Sequence, residues 1–181
     1  MSSSDLEKLL LARSVRRGDF VLSSGKHSSY YIDARRTTMS AQGLALIGRL
    51  GLMEVRNAQW SPAAVGGLTM GADPVAYAIA AASLTDGPAI NAFSVRKELK
   101  THGTGRRIEG NFQPGESVVV VEDVITSGGS VIQAIATIQA EGGTVLGIFA
   151  VVDREEGGRE ALEAKGHRVV ALTTATRLGL K

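Results

Sequence analysis

The chain has 181 residues, a length that suits one domain, or one with a small elaboration, and that allows a substantial core. Its formal net charge of +2 is too small to argue for a nucleic-acid or membrane partner, and the lack of cysteine excludes disulfides and thiolate chemistry. The first residues lack the basic start and apolar core of a signal peptide, and no apolar run approaches the ~20 residues of a membrane span. We therefore expect a cytoplasmic protein that binds neither nucleic acid nor membranes.

The N-terminal segment carries apolar residues at helical spacing, which predicts a helix from Asp5 to Val15. Ser4 is the expected N-cap, and Glu7, three residues later, completes a capping-box pattern. This helix offers packing rather than chemistry.

Two short runs rich in aromatic and aliphatic residues follow. The first lies around Phe20, the second ends at Ile32, and small polar residues lie between them. This pattern predicts a β-hairpin with Lys26 in its turn. A lysine in a tight glycine turn is usually just solvated. Side chains alternate between the two faces of a strand, so we expect only one of the rings of Tyr30 and Tyr31 to reach a ligand.

Apolar strands alternate with helical runs from about residue 41 to 153. This pattern predicts an α/β fold with a central, mostly parallel sheet flanked by helices. We expect a single domain of residues 1–181. Its core would cover about 41–153, and about 1–40 plus 154–181 would form a small hood over the strand ends.

The most basic stretch of the chain lies between residues 96 and 110. Its glycines and few apolar anchors are typical of a mobile loop. A run of charge is usually a solvated surface, and the residue types alone leave that interpretation open. The basic side chains in this stretch are Arg96, Lys97, Lys100, His102, Arg106 and Arg107.

The segment from Ser117 to Ser130 carries the clearest chemistry. An unbroken valine run predicts a strand buried on both faces, and Glu122 and Asp123 follow at its carboxyl end. Residues 126–130 then form a small, hydroxyl-rich turn before a helix, an arrangement that suits a phosphate. The carboxylates would repel phosphate, so we expect them to accept hydrogen bonds from ribose hydroxyls. The alternative is an ordinary strand–turn–helix with exposed acids.

A second buried strand, residues 145–152, ends in the polar segment Asp153 to Gly158. Parallel sheets bind ligands at this end of their strands. A lone arginine such as Arg154 is more often the ion-pair partner of neighbouring acids, yet its planar guanidinium can also hold a carboxylate with two hydrogen bonds.

These segments resemble motifs of the type I phosphoribosyltransferases, and their order along the chain also matches. Residues 118–130 resemble the motif that binds 5-phosphoribosyl 1-pyrophosphate (PRPP). Three further segments, residues 24–31, 96–103 and 153–157, resemble the N-terminal segment, the catalytic loop and the orotate-binding segment of the orotate phosphoribosyltransferases.

The resemblance implies the type I phosphoribosyltransferase fold. It also implies transfer of a phosphoribosyl group from PRPP to orotate, giving orotidine 5′-monophosphate and pyrophosphate in pyrimidine biosynthesis. It assigns catalytic roles to Lys100, His102 and Asp123. Orotate would be bound by Thr126, Arg154, Tyr30 and Tyr31. The residues implied in PRPP binding are Lys26, Arg96, Lys97, Lys100, His102, Glu122, Asp123, Val124, Ile125, Thr126, Ser127, Gly128, Gly129 and Ser130.

The resemblance further implies Mg²⁺, held mainly by PRPP with at most a water-mediated contact to Asp123. It implies a homodimer in which Lys97 and the 96–110 loop are shared across the interface. The sequence departs from many relatives at Thr69 and Met70, where they carry an aromatic–lysine pair. Two alternatives stay open: a type I transferase for a purine or uracil, and a PRPP-sensing regulator without activity.

Overall fold

A computed structural model describes residues 2–21, 27–98 and 107–181 of the chain. Its helices are α1 (Ser3–Arg13), α2 (Arg35–Thr38), α3 (Ala41–Asn57), α4 (Ala72–Ser83), α5 (Gly129–Ala140) and α6 (Gly158–Glu163). Its strands are β1 (Val15–Val21), β2 (His27–Ile32), β3 (Ala64–Leu68), β4 (Asn91–Val95), β5 (Ile108–Gly110), β6 (Ser117–Ile125), β7 (Thr144–Asp153) and β8 (Val169–Thr174).

The main sheet has six strands in the order β5-β4-β3-β6-β7-β8. All neighbouring pairs are parallel except β4 and β5, which are antiparallel. The predicted α/β fold with a central, mostly parallel sheet is therefore confirmed.

The valine run of β6 explains why helices cover both faces of this sheet. Alternate side chains of a strand point to opposite faces. Val119 and Val121 pack in one cluster with residues of α1, α3 and α4, whereas Val118 and Val120 pack in a second cluster with residues of α5 and α6. All four valines are fully buried. No helix in the described part of the chain is long and apolar enough to cross a membrane.

The hairpin of β1 and β2 forms a separate two-stranded antiparallel sheet. Arg17 donates to the carbonyl of Gly179 at 3.1 Å, so the hairpin contacts the C-terminal tail. Glu7 of α1 pairs with Arg177 at 2.7 Å and accepts a hydrogen bond from Thr173. These contacts join the N- and C-terminal segments of the chain. The predicted hood, with its division from the core near residues 41 and 153, stays a prediction.

The start of the chain differs from the prediction. Helix α1 begins at Ser3, and Ser2 rather than Ser4 is its N-cap. Asp5, rather than Glu7, completes the capping box, because its carboxylate accepts a hydrogen bond from the backbone N–H of Ser2 at 2.6 Å. The helix ends at Arg13 because Val15 already pairs with Ile32 as the first residue of β1.

Gly67 allows the close packing of the central strands. A Cβ atom at this position would lie 2.1 Å from the carbonyl oxygen of Val121 and 2.8 Å from the Cβ of Ala72. The neighbouring strand and the start of α4 can approach β3 this closely only because residue 67 has no side chain.

We therefore expect Gly67→Ala to lower the free energy of unfolding by roughly 2 kcal/mol or more, since the clash is with backbone. The measurement is chemical denaturation. Gly129→Ala is the matched control, because the nearest atom to a Cβ at that position, the hydroxyl oxygen of Ser127, would lie 3.8 Å away. An equal loss of unfolding free energy in both variants would contradict the clash at Gly67.

Candidate active site

A cavity of about 750 Å³ opens where β6 and β7 end below the hairpin. The carboxyl ends of parallel strands are where such sheets bind ligands. The cavity is lined by Val21, His27, Ser28, Tyr31, Ile32, Asp33, Ala34, Arg35, Asp123, Val124, Thr126, Ser127, Arg154, Glu155, Glu156 and Lys181.

The turn between β6 and α5 forms a smaller pocket beside this cavity. Gly128 has a φ of 80°, a left-handed conformation that favours glycine, and a Cβ there would lie 3.3 Å from the carbonyl oxygen of Gly158. The pocket of about 40 Å³ is lined by Glu122 and residues 124–131, and its predicted role in binding a phosphate stays a prediction. Thr126 and Ser127 border both spaces.

Glu122 and Asp123 lie at the end of β6, one largely buried and the other half-buried. Burial, reinforced by the neighbouring Asp123 charge, raises the pKa of Glu122 well above its ordinary value. Burial also raises the pKa of Asp123, although hydrogen bonds and the charge of Arg35 oppose this rise. Carboxylates that have lost water gain from accepting hydrogen bonds from ligand hydroxyls.

The glycine-rich loop after β3 borders the acidic pair. A Cβ on Gly71 would lie 2.7 Å from Oδ1 of Asp123, so the backbone of this loop passes directly beside that carboxylate. Asp73 anchors the loop, because its carboxylate accepts hydrogen bonds from the hydroxyls of Thr69 at 2.6 Å and Ser94 at 2.7 Å. The loop therefore joins the predicted site although Thr69 and Met70 replace the aromatic–lysine pair.

Arg154 is buried at the end of β7, with only 4% of its surface exposed. Its guanidinium carbon lies 4.8 Å from the centre of the Tyr30 ring, within the range of a cation–π contact. Its Nη2 lies 2.8 Å from Glu156 Oε1 and 3.5 Å from the hydroxyl of Ser28. Arg154 is thus paired with a neighbouring acid and also lines the cavity, and its predicted role in holding a ligand carboxylate stays a prediction.

The two adjacent tyrosines differ as strand alternation predicts. Tyr31 is 39% exposed and lines the cavity. Tyr30 is 6% exposed and packs against Arg154. It is not among the described residues that line the cavity. Tyr30 therefore supports Arg154, and its predicted contact with a ligand stays a prediction.

The described part of the basic stretch lies beside β4 and α5. Arg96 pairs with Glu109 at 3.3 Å, and the backbone carbonyl of Lys97 accepts hydrogen bonds from Arg107 at 3.2 Å and Gln133 at 3.1 Å. The positive charge of Lys97 opposes the rise in the pKa of Glu122. Lys26, Lys100 and His102 lie outside the described residues, and their roles stay predictions.

The structure adds Arg35 to the predicted site. Its side chain lines the cavity and pairs with Asp33 at 2.9 Å, and this hydrogen bond raises the pKa of Arg35. The charge of Arg35 also acts on Asp123. Residues 33–38 show no periodic pattern of apolar side chains, because α2 is only four residues long. Lys181 also lines the cavity and was not predicted.

Within the described ranges, no group of three or more His, Cys, Asp or Glu side chains could hold a metal ion. Two adjacent carboxylates do face the site. This arrangement fits Mg²⁺, which keeps several waters and is commonly bound by one or two carboxylates together with substrate phosphates.

A mostly parallel sheet with an acidic pair and a small glycine-containing turn at one strand end, and a glycine-rich loop beside the pair, fits the fold of the type I phosphoribosyltransferases. A family model described as "Phosphoribosyl transferase domain" matches residues 39–169. The chain belongs to this family and, within it, to the orotate phosphoribosyltransferases, as the following relatives show.

The orotate phosphoribosyltransferase of Aquifex aeolicus is 47% identical over 176 residues, covering 96% of this chain and 95% of the relative. That of Mycobacterium avium is also 47% identical, covering 97% and 96%. The Mycobacterium tuberculosis H37Rv orotate phosphoribosyltransferase in complex with Fe(III) dicitrate superposes with a TM-score of 0.86 at 46% identity, covering 98% of this chain and 99% of that one. The same enzyme in complex with PRPP gives a TM-score of 0.82 at 43% identity, covering 98% and 99%.

The raised pKa of Glu122 leads to a pH-dependent prediction. An acid whose pKa is higher in the folded state binds more protons there, so the free energy of unfolding falls as the pH rises above the ordinary value of 4.5 towards the raised one. Glu122→Gln removes this penalty. We expect the variant to be more stable than the wild type at pH 8, with the difference shrinking towards pH 4.5, in thermal unfolding at several pH values. A difference that does not change with pH would contradict this.

Proposed function

We propose that the cavity at the ends of β6 and β7 is where this orotate phosphoribosyltransferase converts orotate and PRPP into orotidine 5′-monophosphate and pyrophosphate. The observation that carries this assignment is the meeting of three groups in adjoining spaces: the buried Arg154, the Glu122–Asp123 pair and the turn of residues 126–130.

The PRPP molecule would extend across these groups. Backbone N–H groups of residues 126–130 would bind the 5′-phosphate, and Glu122 and Asp123 would accept hydrogen bonds from the ribose hydroxyls. The backbone of the loop at Gly71 would face the pyrophosphate, because this loop lies directly beside Asp123. Each ligand group is thereby matched with protein groups of opposite polarity.

The orotate carboxylate would bind to Arg154, which lines the same cavity as Thr126 and Ser127. A guanidinium can donate two parallel hydrogen bonds to a carboxylate, which orients the ring as well as binding it. Tyr31 and Thr126 line the same cavity and would contact the ring.

Mg²⁺ is proposed as the cofactor, held mainly by PRPP with Asp123 near it. When bound, it would neutralise charge on the pyrophosphate leaving group. Lys100 and His102 are proposed to close over the reacting centre, donating to the pyrophosphate as its charge develops and excluding water from the electron-poor anomeric carbon. No residue is assigned as a general base, because ionised orotate does not require a base to remove a proton before its ring nitrogen attacks.

A homodimer is also proposed, with Lys97 and the 96–110 loop reaching the partner's site. The support is the resemblance of residues 96–103 to the family's catalytic loop. A cytoplasmic location is proposed on the sequence grounds given above.

The reaction is tested by measuring orotate consumption with PRPP and Mg²⁺, beside parallel assays with uracil, hypoxanthine and adenine. We expect activity with orotate alone. Arg154→Ala should lower kcat/KM for orotate by about 30- to 3,000-fold, since truncating one partner of a buried ion pair costs 2–5 kcal/mol. Arg168→Ala is the control, because Arg168 packs over Trp60 outside the cavity. Full activity of Arg154→Ala would remove Arg154 from orotate recognition.

The shared site is tested by mixing two inactive variants, Lys97→Ala and Asp123→Asn. If Lys97 acts on the partner's site, a mixed dimer has one intact site and one doubly altered site. Random subunit exchange should then restore about a quarter of the wild-type activity. No recovery after verified exchange would mean that Lys97 acts within its own chain.

A further inference from the structure

We propose that Glu156 is a specificity-determining residue that serves as a displaceable counter-ion for Arg154. Its carboxylate occupies the guanidinium in the empty site, and the carboxylate of the incoming substrate takes its place. This inference rests on the proposed binding of orotate to Arg154.

The geometry shows that the guanidinium is already engaged. Nη2 of Arg154 is 2.8 Å from Glu156 Oε1, and Nε is buried without a hydrogen-bond partner among the described residues. A carboxylate that binds with two oxygens needs two free N–H groups on one edge of the guanidinium. Because Nε is buried, a substrate carboxylate would bind through Nη1 and Nη2, and at Nη2 it would compete with Glu156.

The two partners of this ion pair differ in their freedom to move. The Arg154 side chain is 5% exposed and is held against the Tyr30 ring, whereas the Glu156 side chain is 30% exposed at the cavity wall. Glu156 can therefore turn to water, where a carboxylate is well solvated, while Arg154 remains in position. An exchange also avoids leaving the buried guanidinium without an anion at any stage, which would be costly.

The neighbouring acid is held differently. Glu155 also lines the cavity, but its Oε2 accepts a hydrogen bond from the backbone N–H of Thr176 at 2.7 Å. Its own backbone N–H donates to Asp153 at 2.8 Å, which fixes the loop at this point. Glu156 is thus the acidic side chain of the loop that contacts Arg154 and remains movable.

This exchange has a consequence for affinity. Orotate must compete with an internal carboxylate, so its apparent binding is weaker than the site itself permits. The competition affects binding equally in the ground and transition states, and it should therefore change KM for orotate without changing kcat.

The test is steady-state kinetics of Glu156→Gln and Glu156→Asp with orotate varied at saturating PRPP and Mg²⁺. The neutral amide of Glu156→Gln competes less well for the guanidinium. We expect KM for orotate to fall by about three- to fivefold, the upper part of the range that corresponds to the loss of a partly exposed ion pair, with kcat and KM for PRPP within about twofold of wild type. Glu156→Asp keeps the charge on a shorter side chain and should lie between the two.

Glu160→Gln is the matched control. It removes the same charge from the exposed first turn of α6, outside the cavity, and should leave KM for orotate unchanged. A higher or unchanged KM for orotate in Glu156→Gln would overturn the proposal, because it would mean that Glu156 orients Arg154 or plays no part. If Glu156→Gln does not fold, Glu156→Asp decides: a KM at or above the wild-type value overturns the proposal.

The wild-type assay separates this inference from the function on which it rests. If the wild type does not use orotate, the proposed function fails first. If it uses orotate and Arg154→Ala abolishes that use while Glu156→Gln does not lower KM, only the counter-ion inference fails.

Discussion

The burial of β6 on both faces is the constraint on which the site depends. A strand whose side chains are packed between two layers of helices has no exposed face on which to place polar groups. Its functional residues can only follow the buried segment, at its carboxyl end. Val118 to Val121 are fully buried, and the next two residues are the acidic pair. The same constraint acts on β7, where six buried residues precede Asp153 and Arg154. Because β6 and β7 are parallel neighbours, their polar ends meet in one cavity.

The same constraint explains the unusual electrostatics of the acidic pair. Glu122 lies at the level where the sheet is still covered, so its carboxylate is largely removed from water and its pKa rises. A buried acid of this kind normally destabilises a protein. In the proposed function, the ribose hydroxyls of PRPP would donate to Glu122 the hydrogen bonds that water would otherwise provide. The unfavourable burial thereby becomes a means of binding a polyhydroxylated ligand.

Much of this arrangement could be predicted from the sequence, because its signals are local. The valine run, the acids after it and the small residues at 126–130 are contiguous, and each implies a known local structure.

Residues whose position depends on tertiary contacts could not be predicted in this way. Arg35 lines the cavity from a helix too short to show periodicity, and the packing of Tyr30 against Arg154 depends on the place of Tyr30 in the hairpin. The predicted N-cap of α1 was wrong because Ser2 and Ser4 each precede an acidic residue by three positions, so the local pattern does not choose between them. The predicted end at Val15 was wrong because that residue pairs with Ile32 in β1.

The cations of the site show how a pocket for anionic substrates remains stable when it is empty. Arg35 is paired with Asp33, Arg96 with Glu109 and Arg154 with Glu156. An array of unpaired cations at one edge of a sheet would repel itself and would cost free energy, most of all at the buried Arg154. Internal carboxylates reduce this cost in the free protein. An anion that binds must also replace one of these internal carboxylates. Its affinity therefore reflects the difference in free energy between the new ion pair and the internal ion pair that it replaces. This difference can be small even where each contact is strong, which suits an enzyme that must release an anionic product after each turnover.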